Sequence, residues 1–320
     1  MDFVAALGAG AGVVALGNRL GSMTLTGRMV KLIVVLAFCV NLYAVRLPGR
    51  LDNQVADGVL ESWFTRTYIR PAGWAFAIWG PIYLGEMIFT VTVVASGGWK
   101  SEGPMIAVVR EVLPFWTMAH LFQSIWCATF RPAFHTLDAK HMLGPFVPAL
   151  YLGLVATSLG RLTIIASGHL SALGWFQKAC FVPLAMHFAW TTAATLVNVN
   201  GALAHYEQAS EVSLFGLACA SIVAALGASI AVSARTRGPV YSLVIGWALF
   251  AVSAGVKGKI AASAEPDAVV AHARLISRLS YFAGVSSLLI SVAVFISMCA
   301  VSPRKTMSNR VEMPIMSSAR

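Results

Sequence analysis

Charged residues are scarce in this chain of 320 residues. Asp, Glu, Lys and Arg make up 11% of it, whereas hydrophobic residues make up 58%. A soluble domain carries about 25% charged residues, so this chain has too few charges to cover the surface of a soluble globular protein. The mean hydropathy of +0.75 also excludes a disordered chain, which needs low hydrophobicity. The composition indicates an integral, multi-pass helical membrane protein.

Short motifs with a known chemistry are also missing. The sequence has no GxxxxGK[ST] phosphate-binding loop, no HExxH and no GxSxG, and its five cysteines lie in apolar runs without a CxxC pair. These absences give no support to a kinase, a hydrolase, a disulfide framework or a zinc site. The net charge of +10 comes from basic residues scattered through the connections, which fits membrane topology and not nucleic acid binding. We therefore predict no catalytic residue and no metal ligand.

Eight apolar runs are long enough to cross a membrane, for which about 20 mostly apolar residues are needed. The predicted spans are Met29–Val45, Pro71–Ser96, Val112–Phe130, Met142–Gly160, Ala179–Ala204, Val212–Ser233, Pro239–Val256 and Leu279–Val301. Within these bounds only Lys31, at the start of the first span, and Glu86, deep in the second, are charged. With eight spans both termini lie on one side, which carries 13 of the 23 Lys and Arg residues. The excess of positive charge predicts that this side is cytoplasmic.

The chain divides into four predicted regions. Residues 1–28 form an N-terminal segment that reads as a targeting segment or a membrane-surface helix, although a signal peptide would begin with positive charge. Residues 29–204 hold the first five spans, and residues 205–301 hold three additional spans. Residues 302–320 are polar and basic, which predicts a disordered tail.

Three of the spans carry polar and aromatic side chains at helical spacing. These candidate binding residues are Trp79, Tyr83 and Glu86 in the second span, His120, Gln123 and Trp126 in the third, and His187, Trp190 and Asn198 in the fifth. Polar groups are costly in hydrocarbon and usually face the bundle interior, so we expect the three stripes to converge on one cavity. The alternative is that these groups only hold helices together through hydrogen bonds, with Glu86 as a protonated carboxyl.

The aromatic stripes resemble a known family. The run from Arg70 to Tyr83, RPAGWAFAIWGPIY, resembles the second helix of the TspO/MBR tryptophan-rich sensory proteins, and most closely that of their longer bacterial members. In the third span, Gln123 and Trp126 fit the family's Asn-x-x-Trp, with Gln in place of Asn. In the fifth span, Trp190 and Asn198 match the family's Trp and the Asn eight residues later.

This resemblance covers Met29 to Ala204, and spans six to eight are shared only with the longer members. It implies an all-α, polytopic transmembrane bundle, in which a five-helix TspO-like core is followed by about three extra C-terminal helices. It also implies a hydrophobic planar ligand, either a tetrapyrrole such as porphyrin or haem or a sterol-like molecule, bound between the helices by a sensor or carrier. Indole faces suit such a ligand because they stack on planar rings.

Two other functions remain open from the sequence. Glu86, His120 and His187 could relay protons in a proton-coupled secondary transporter. The polar stripes could instead belong to a structural subunit of a larger membrane complex. The expected partners are the lipid bilayer, a hydrophobic small molecule, and either a second copy of the chain or a membrane-complex partner, without nucleic acid.

Overall fold

The computed structural model describes residues 3–21, 25–51, 66–97, 102–132, 144–206, 208–262 and 267–300. Within these ranges the chain is mainly helical and contains no strand, so the predicted all-α fold is confirmed. The helices are α1 (Phe3–Gly21), α2 (Gly27–Arg46), α3 (Trp79–Ala95), α4 (Pro104–Thr129), α5 (Phe146–His169), α6 (Trp175–Ala179), α7 (Val182–Ala204), α8 (Glu211–Thr236), α9 (Val240–Ala262) and α10 (Asp267–Ala300), with 3-10 turns at Gly73–Ile78 and Leu170–Ala172. The predicted tail 302–320 lies outside the described residues.

Eight helical stretches of the described chain are long and apolar enough to cross a membrane, as predicted. Several of them extend beyond the apolar runs: α4 begins at Pro104 and α5 continues to His169. Arg110, Glu111 and Arg161 therefore lie inside spanning helices, although they fall outside the bounds predicted for the third and fourth spans. The physical reason is that long charged side chains near a helix end can reach the interface, so charge does not end a helix.

Prolines set the start of α3, which carries three of the candidate binding residues. Pro81 has no backbone N–H and is tolerated in the first turn of a helix, where that group would lack a partner. The α-helix accordingly begins at Trp79, two residues before Pro81, and the chain reaches it through the 3-10 turn Gly73–Ile78. This local structure makes Trp79 the first residue of α3 and places Glu86 near the middle of that helix.

Three hydrophobic clusters of the described residues form the core, and the smallest includes Trp126, Phe130 and Leu152. The first is built mainly from α1, α2, α4 and α5 and includes Phe89 and Trp116, and the second is built from α7 to α10 together with the chain before α3. Helix α7 packs against α5 on one side and against α9 on the other, so it joins these two clusters. The candidate binding residues of α3, α4 and α7 lie where the clusters meet.

Helix α1 packs into the first cluster. Val13 is buried there, and Gly10 faces Thr157 of α5. Gly17 lies so close to α4 that a Cβ at this position would be 2.3 Å from the ring of Phe115. The structure therefore includes residues 9–17 in the helical bundle.

The chain before α3 is held against the C-terminal helices. The amide of Ala72 donates to the carbonyl oxygen of Ala251 at 2.8 Å, and the indole of Trp247 donates to the carbonyl oxygen of Ala75 at 3.2 Å. These hydrogen bonds hold the start of the second span against α9. They thereby set the position of Trp79 relative to α7.

Candidate ligand-binding site

A buried acid–imidazole pair lies at the centre of the site. Glu86 Oε1 of α3 is 2.7 Å from His187 Nδ1 of α7, and both side chains are fully buried. A carboxyl group is costly to bury unless it is paired or protonated. The 2.7 Å contact allows one proton to be shared between the two groups, so the pair as a whole can be neutral inside the membrane.

A chain of amide hydrogen bonds joins α2, α3 and α4 beside this pair. Asn41 Nδ2 lies 2.9 Å from His120 Nδ1 and donates to Gln123 Oε1 at 3.4 Å. Gln123 Nε2 in turn donates to the hydroxyl oxygen of Tyr83 at 2.8 Å. The network fixes the Gln123 amide in one orientation, and it holds the Tyr83 ring against the neighbouring aromatic side chains.

Asn41 was missed by the sequence reasoning. It is fully buried on α2. This helix is the first predicted span, to which no binding residue was assigned. The available signal was a carboxamide three turns into an apolar run, because such a group needs a hydrogen-bond partner inside the bundle.

The aromatic side chains form a connected group around His187. Trp79 stacks on Tyr83 with ring centroids 5.4 Å apart, and it meets the ring of His187 edge-on at 5.5 Å. Trp190 lies 6.2 Å from Trp79, also edge-on. Edge-to-face and offset arrangements at these separations are favourable between aromatic rings, so Trp79 is held on three sides.

Trp126 forms the opposite part of this aromatic surface. It stacks on Phe130 with centroids 5.2 Å apart, and the guanidinium of Arg50 lies 5.6 Å from its ring centroid. Arg50 is mostly buried and donates to the carbonyl oxygen of Val45 at 2.5 Å. A positive charge therefore lies over the indole face, at the end of the bundle where α3 begins.

Two cavities adjoin these side chains. The first, of about 80 Å³, is almost entirely apolar and extends from Trp190 and Asn198 of α7 toward α8 and α9. The second, of about 240 Å³, is lined by Val45, Arg50, Trp79, Gly80, Tyr83 and Trp126. Trp79 and Trp126 line both cavities, so these two indoles form the wall between them.

Several buried polar atoms here have no hydrogen-bond partner in the described chain. They are Glu86 Oε2, His187 Nε2, His120 Nε2, Asn41 Oδ1, Trp126 Nε1, Trp190 Nε1 and Asn198 Oδ1. Buried polar groups in proteins are nearly always satisfied by protein, water or ligand. Trp126, Trp190 and Asn198 line the apolar cavity, so their free polar atoms can meet water or the polar substituents of a ligand there. The other four atoms belong to the buried polar residues beside the cavities.

The nine predicted binding residues are distributed over two connected parts of this site. Tyr83, Glu86, His120, Gln123 and His187 form the polar part, near the middle of the bundle. Trp126, Trp190 and Asn198 line the apolar cavity, and Trp79 contacts both parts. Asn200, which the sequence reasoning did not select, is bonded to Ser221 of α8 at 2.7 Å and holds α7 against α8.

A third cavity lies at the opposite end of the bundle. It has a volume of about 280 Å³ and is lined by residues that include Lys178, Phe181, Thr236 and Tyr241. No residue lines both this cavity and either of the other two. Among the described residues, the polar pair and the buried rings of Phe89 and Trp116 lie between the two ends.

Comparisons with known proteins identify a family. The model of the family described as TSPO-like protein matches residues 28–299, which is most of the chain and includes all eight candidate spans apart from their outermost residues. No curated protein and no solved structure matches the chain.

Proposed function

Because the chain belongs to the TSPO-like protein family, we propose that it binds a flat hydrophobic ligand, a tetrapyrrole or sterol-like molecule, as a membrane sensor or carrier. The observation that carries this proposal is that Trp79 and Trp126 form the common wall of two adjacent cavities. A planar ring system enters between indole faces with favourable stacking. The function is therefore assigned to the surface formed by these two indoles and Trp190.

The size of the cavities indicates how a ligand would be accommodated. Pockets for small molecules usually measure about 300–1,000 Å³, whereas the two cavities measure about 80 and 240 Å³. Rotation of the Trp79 or Trp126 side chain would join them into one space. The apolar part would then take the ring system, while Arg50, Asn198 and the indole N–H of Trp190 would meet acidic or polar substituents.

We expect a porphyrin to bind the purified protein, and Trp79→Ala or Trp190→Ala to weaken its affinity at least about fivefold. This is the effect of losing about 1 kcal/mol of aromatic contact. Affinity is measured from the change in the porphyrin's own absorbance, because the variants also change the protein's fluorescence. Trp175→Ala is the matched control, since this indole is 81% exposed and lies at the start of α6, away from the cavities.

Unchanged affinity in both cavity variants, with the helical content intact by circular dichroism, would contradict the proposal. Equal losses in Trp175→Ala and the cavity variants would also contradict it, because binding would then depend on exposed indoles. In either case the structural-subunit function would become the better explanation of the polar stripes.

The contact between Glu86 and His187 favours a second candidate function, a proton-coupled transporter. Glu86→Gln keeps the shape of the side chain and removes the titratable group. In proteoliposomes with an imposed pH gradient, a transporter would lose pH-driven flux of the porphyrin in this variant. A sensor or carrier would show at most a modest change of ligand affinity in the variant, and no gradient-driven flux in either wild type or variant.

A further inference from the structure

An arginine inside the fourth span plays no part in the site described above. Arg161 lies eight residues before His169, the last residue of α5, so it is roughly 12 Å from the helix end at a rise of 1.5 Å per residue. Its guanidinium Nε is buried and has no hydrogen-bond partner in the described chain. Arginine within a spanning helix is rare, and it is normally paired or directed toward a polar space.

The acidic groups near this end of the bundle are engaged elsewhere. Among the described residues on this side, Glu102 pairs with Arg110 at 3.5 Å, and Glu111 contacts His169 at 3.0 Å. The nearby hydroxyl of Thr157 donates to a carbonyl oxygen of its own helix. The described chain therefore supplies no anion to Arg161.

Arg161 lines an open groove of about 410 Å³ between the helices. The groove runs between α1, α5, α7, α8 and α9, and its other lining residues are Val14, Ala156, Thr157, Gly160, Ile164, Phe188, Thr192, Ala228, Val232 and Tyr241. Apart from the two threonines and the tyrosine hydroxyl, this lining is apolar. Val232 and Tyr241 also line the cavity that includes Lys178, so the groove continues toward the membrane interface.

We propose that this groove binds one anionic phospholipid, with the lipid phosphate on Arg161 and one acyl chain along the apolar lining. The groove combines a long hydrocarbon surface with a single cation to which the described residues supply no partner, and this combination is the complement of such a lipid. The groove lies toward the end of the bundle that carries the excess of basic residues, and anionic lipids are concentrated in the cytoplasmic leaflet. This proposal does not depend on the proposed ligand function.

The test measures lipid binding to the full-length protein in detergent by native mass spectrometry. The probes are phosphatidylglycerol and phosphatidylcholine with identical acyl chains. We expect wild type to bind its first phosphatidylglycerol about tenfold more tightly than its first phosphatidylcholine, which is the scale of one charge-assisted hydrogen bond. Arg161→Gln should remove this preference, and Arg161→Lys should retain part of it.

Two further variants distinguish lipid binding in the groove from attraction of lipid by the other basic residues on this side. Arg235→Gln removes an exposed cation at the end of α8, outside the groove, and should leave the preference unchanged. Ala228→Leu fills the groove and keeps Arg161, so it should weaken binding of both lipids. Thermal unfolding shows which variants are folded, and Arg161→Lys and Ala228→Leu decide the test if Arg161→Gln does not fold.

Three results would overturn the proposal. The first is equal binding of both lipids by wild type, and the second is a full preference for phosphatidylglycerol in Arg161→Gln. Undiminished phosphatidylglycerol binding in Ala228→Leu would show that the acyl chain lies elsewhere. None of these results bears on porphyrin binding, which is measured separately. Failure of the lipid proposal can therefore be distinguished from failure of the proposed function.

Discussion

His187→Leu is expected to lower the free energy of unfolding by about 3–5 kcal/mol, the cost of removing one partner of a buried pair. The reason is that Glu86 loses its hydrogen bond at 2.7 Å while it stays fully buried on α3. Glu86→Leu should cost a similar amount, because it leaves both ring nitrogens of His187 without a partner among the described residues. Unfolding of the purified protein in detergent, followed by circular dichroism, measures both effects.

The double variant Glu86→Leu/His187→Leu tests whether the loss comes from the pair. Replacing both partners of a buried pair by apolar side chains is often nearly neutral, so the double variant should regain most of the stability. The cycle also subtracts the contact between His187 and Trp79, which both His187 variants lose. Strict additivity of the two single effects would show that the side chains do not interact.

Composition and apolar run length were sufficient to predict the class of fold. Eight runs of adequate length gave eight spans, because a bilayer leaves no other way to satisfy the backbone hydrogen bonds of such runs. The bounds were less predictable, since Arg110, Glu111 and Arg161 continue helices past the apolar runs. Hydropathy measures cost per residue and does not register that a long side chain can reach a groove or the interface.

The side chains of the site could be selected from the sequence, but their partners could not. Helical spacing put Glu86 and His187 on separate polar stripes, 101 residues apart in the chain. That they contact each other depends on how α3 and α7 pack, which no local pattern records. The same holds for Asn41, whose hydrogen bonds with His120 and Gln123 reach across to α4.

The cavities were beyond prediction for a related reason. A cavity is the space left where side chains from several helices fail to fill the core, and its volume depends on every neighbour. The sequence indicated that Trp79, Trp126 and Trp190 would face inward. It did not indicate that the first two would stand between two separate cavities, because that depends on the rotamers of both indoles.

Gly255→Ala is expected to lower the free energy of unfolding by about 1–3 kcal/mol, the usual cost of overpacking a core, and to weaken porphyrin binding. A Cβ at position 255 would lie 2.1 Å from the carbonyl oxygen of Arg70 and 2.8 Å from the amide nitrogen of Ala72. Both of these are backbone atoms, so the chain before α3 has to move by about 1 Å to reach an ordinary contact distance. That movement strains the hydrogen bond between Ala72 and Ala251.

The predicted effect on binding follows from where this chain leads. Ile69 and Pro71 line the apolar cavity, and the 3-10 turn that follows carries Phe76 to the same wall, directly before Trp79. Gly258→Ala is the matched control on the same helix, since a Cβ there meets nothing within 4 Å. The free energy of unfolding of this control should equal that of wild type or exceed it by up to about 1 kcal/mol, because alanine has a better helix propensity than glycine. The contrary result is that Gly255→Ala behaves like this control in thermal unfolding and in porphyrin titration. The position of the chain before α3 would then not depend on its close contact with α9, and other contacts would shape the wall of the cavity.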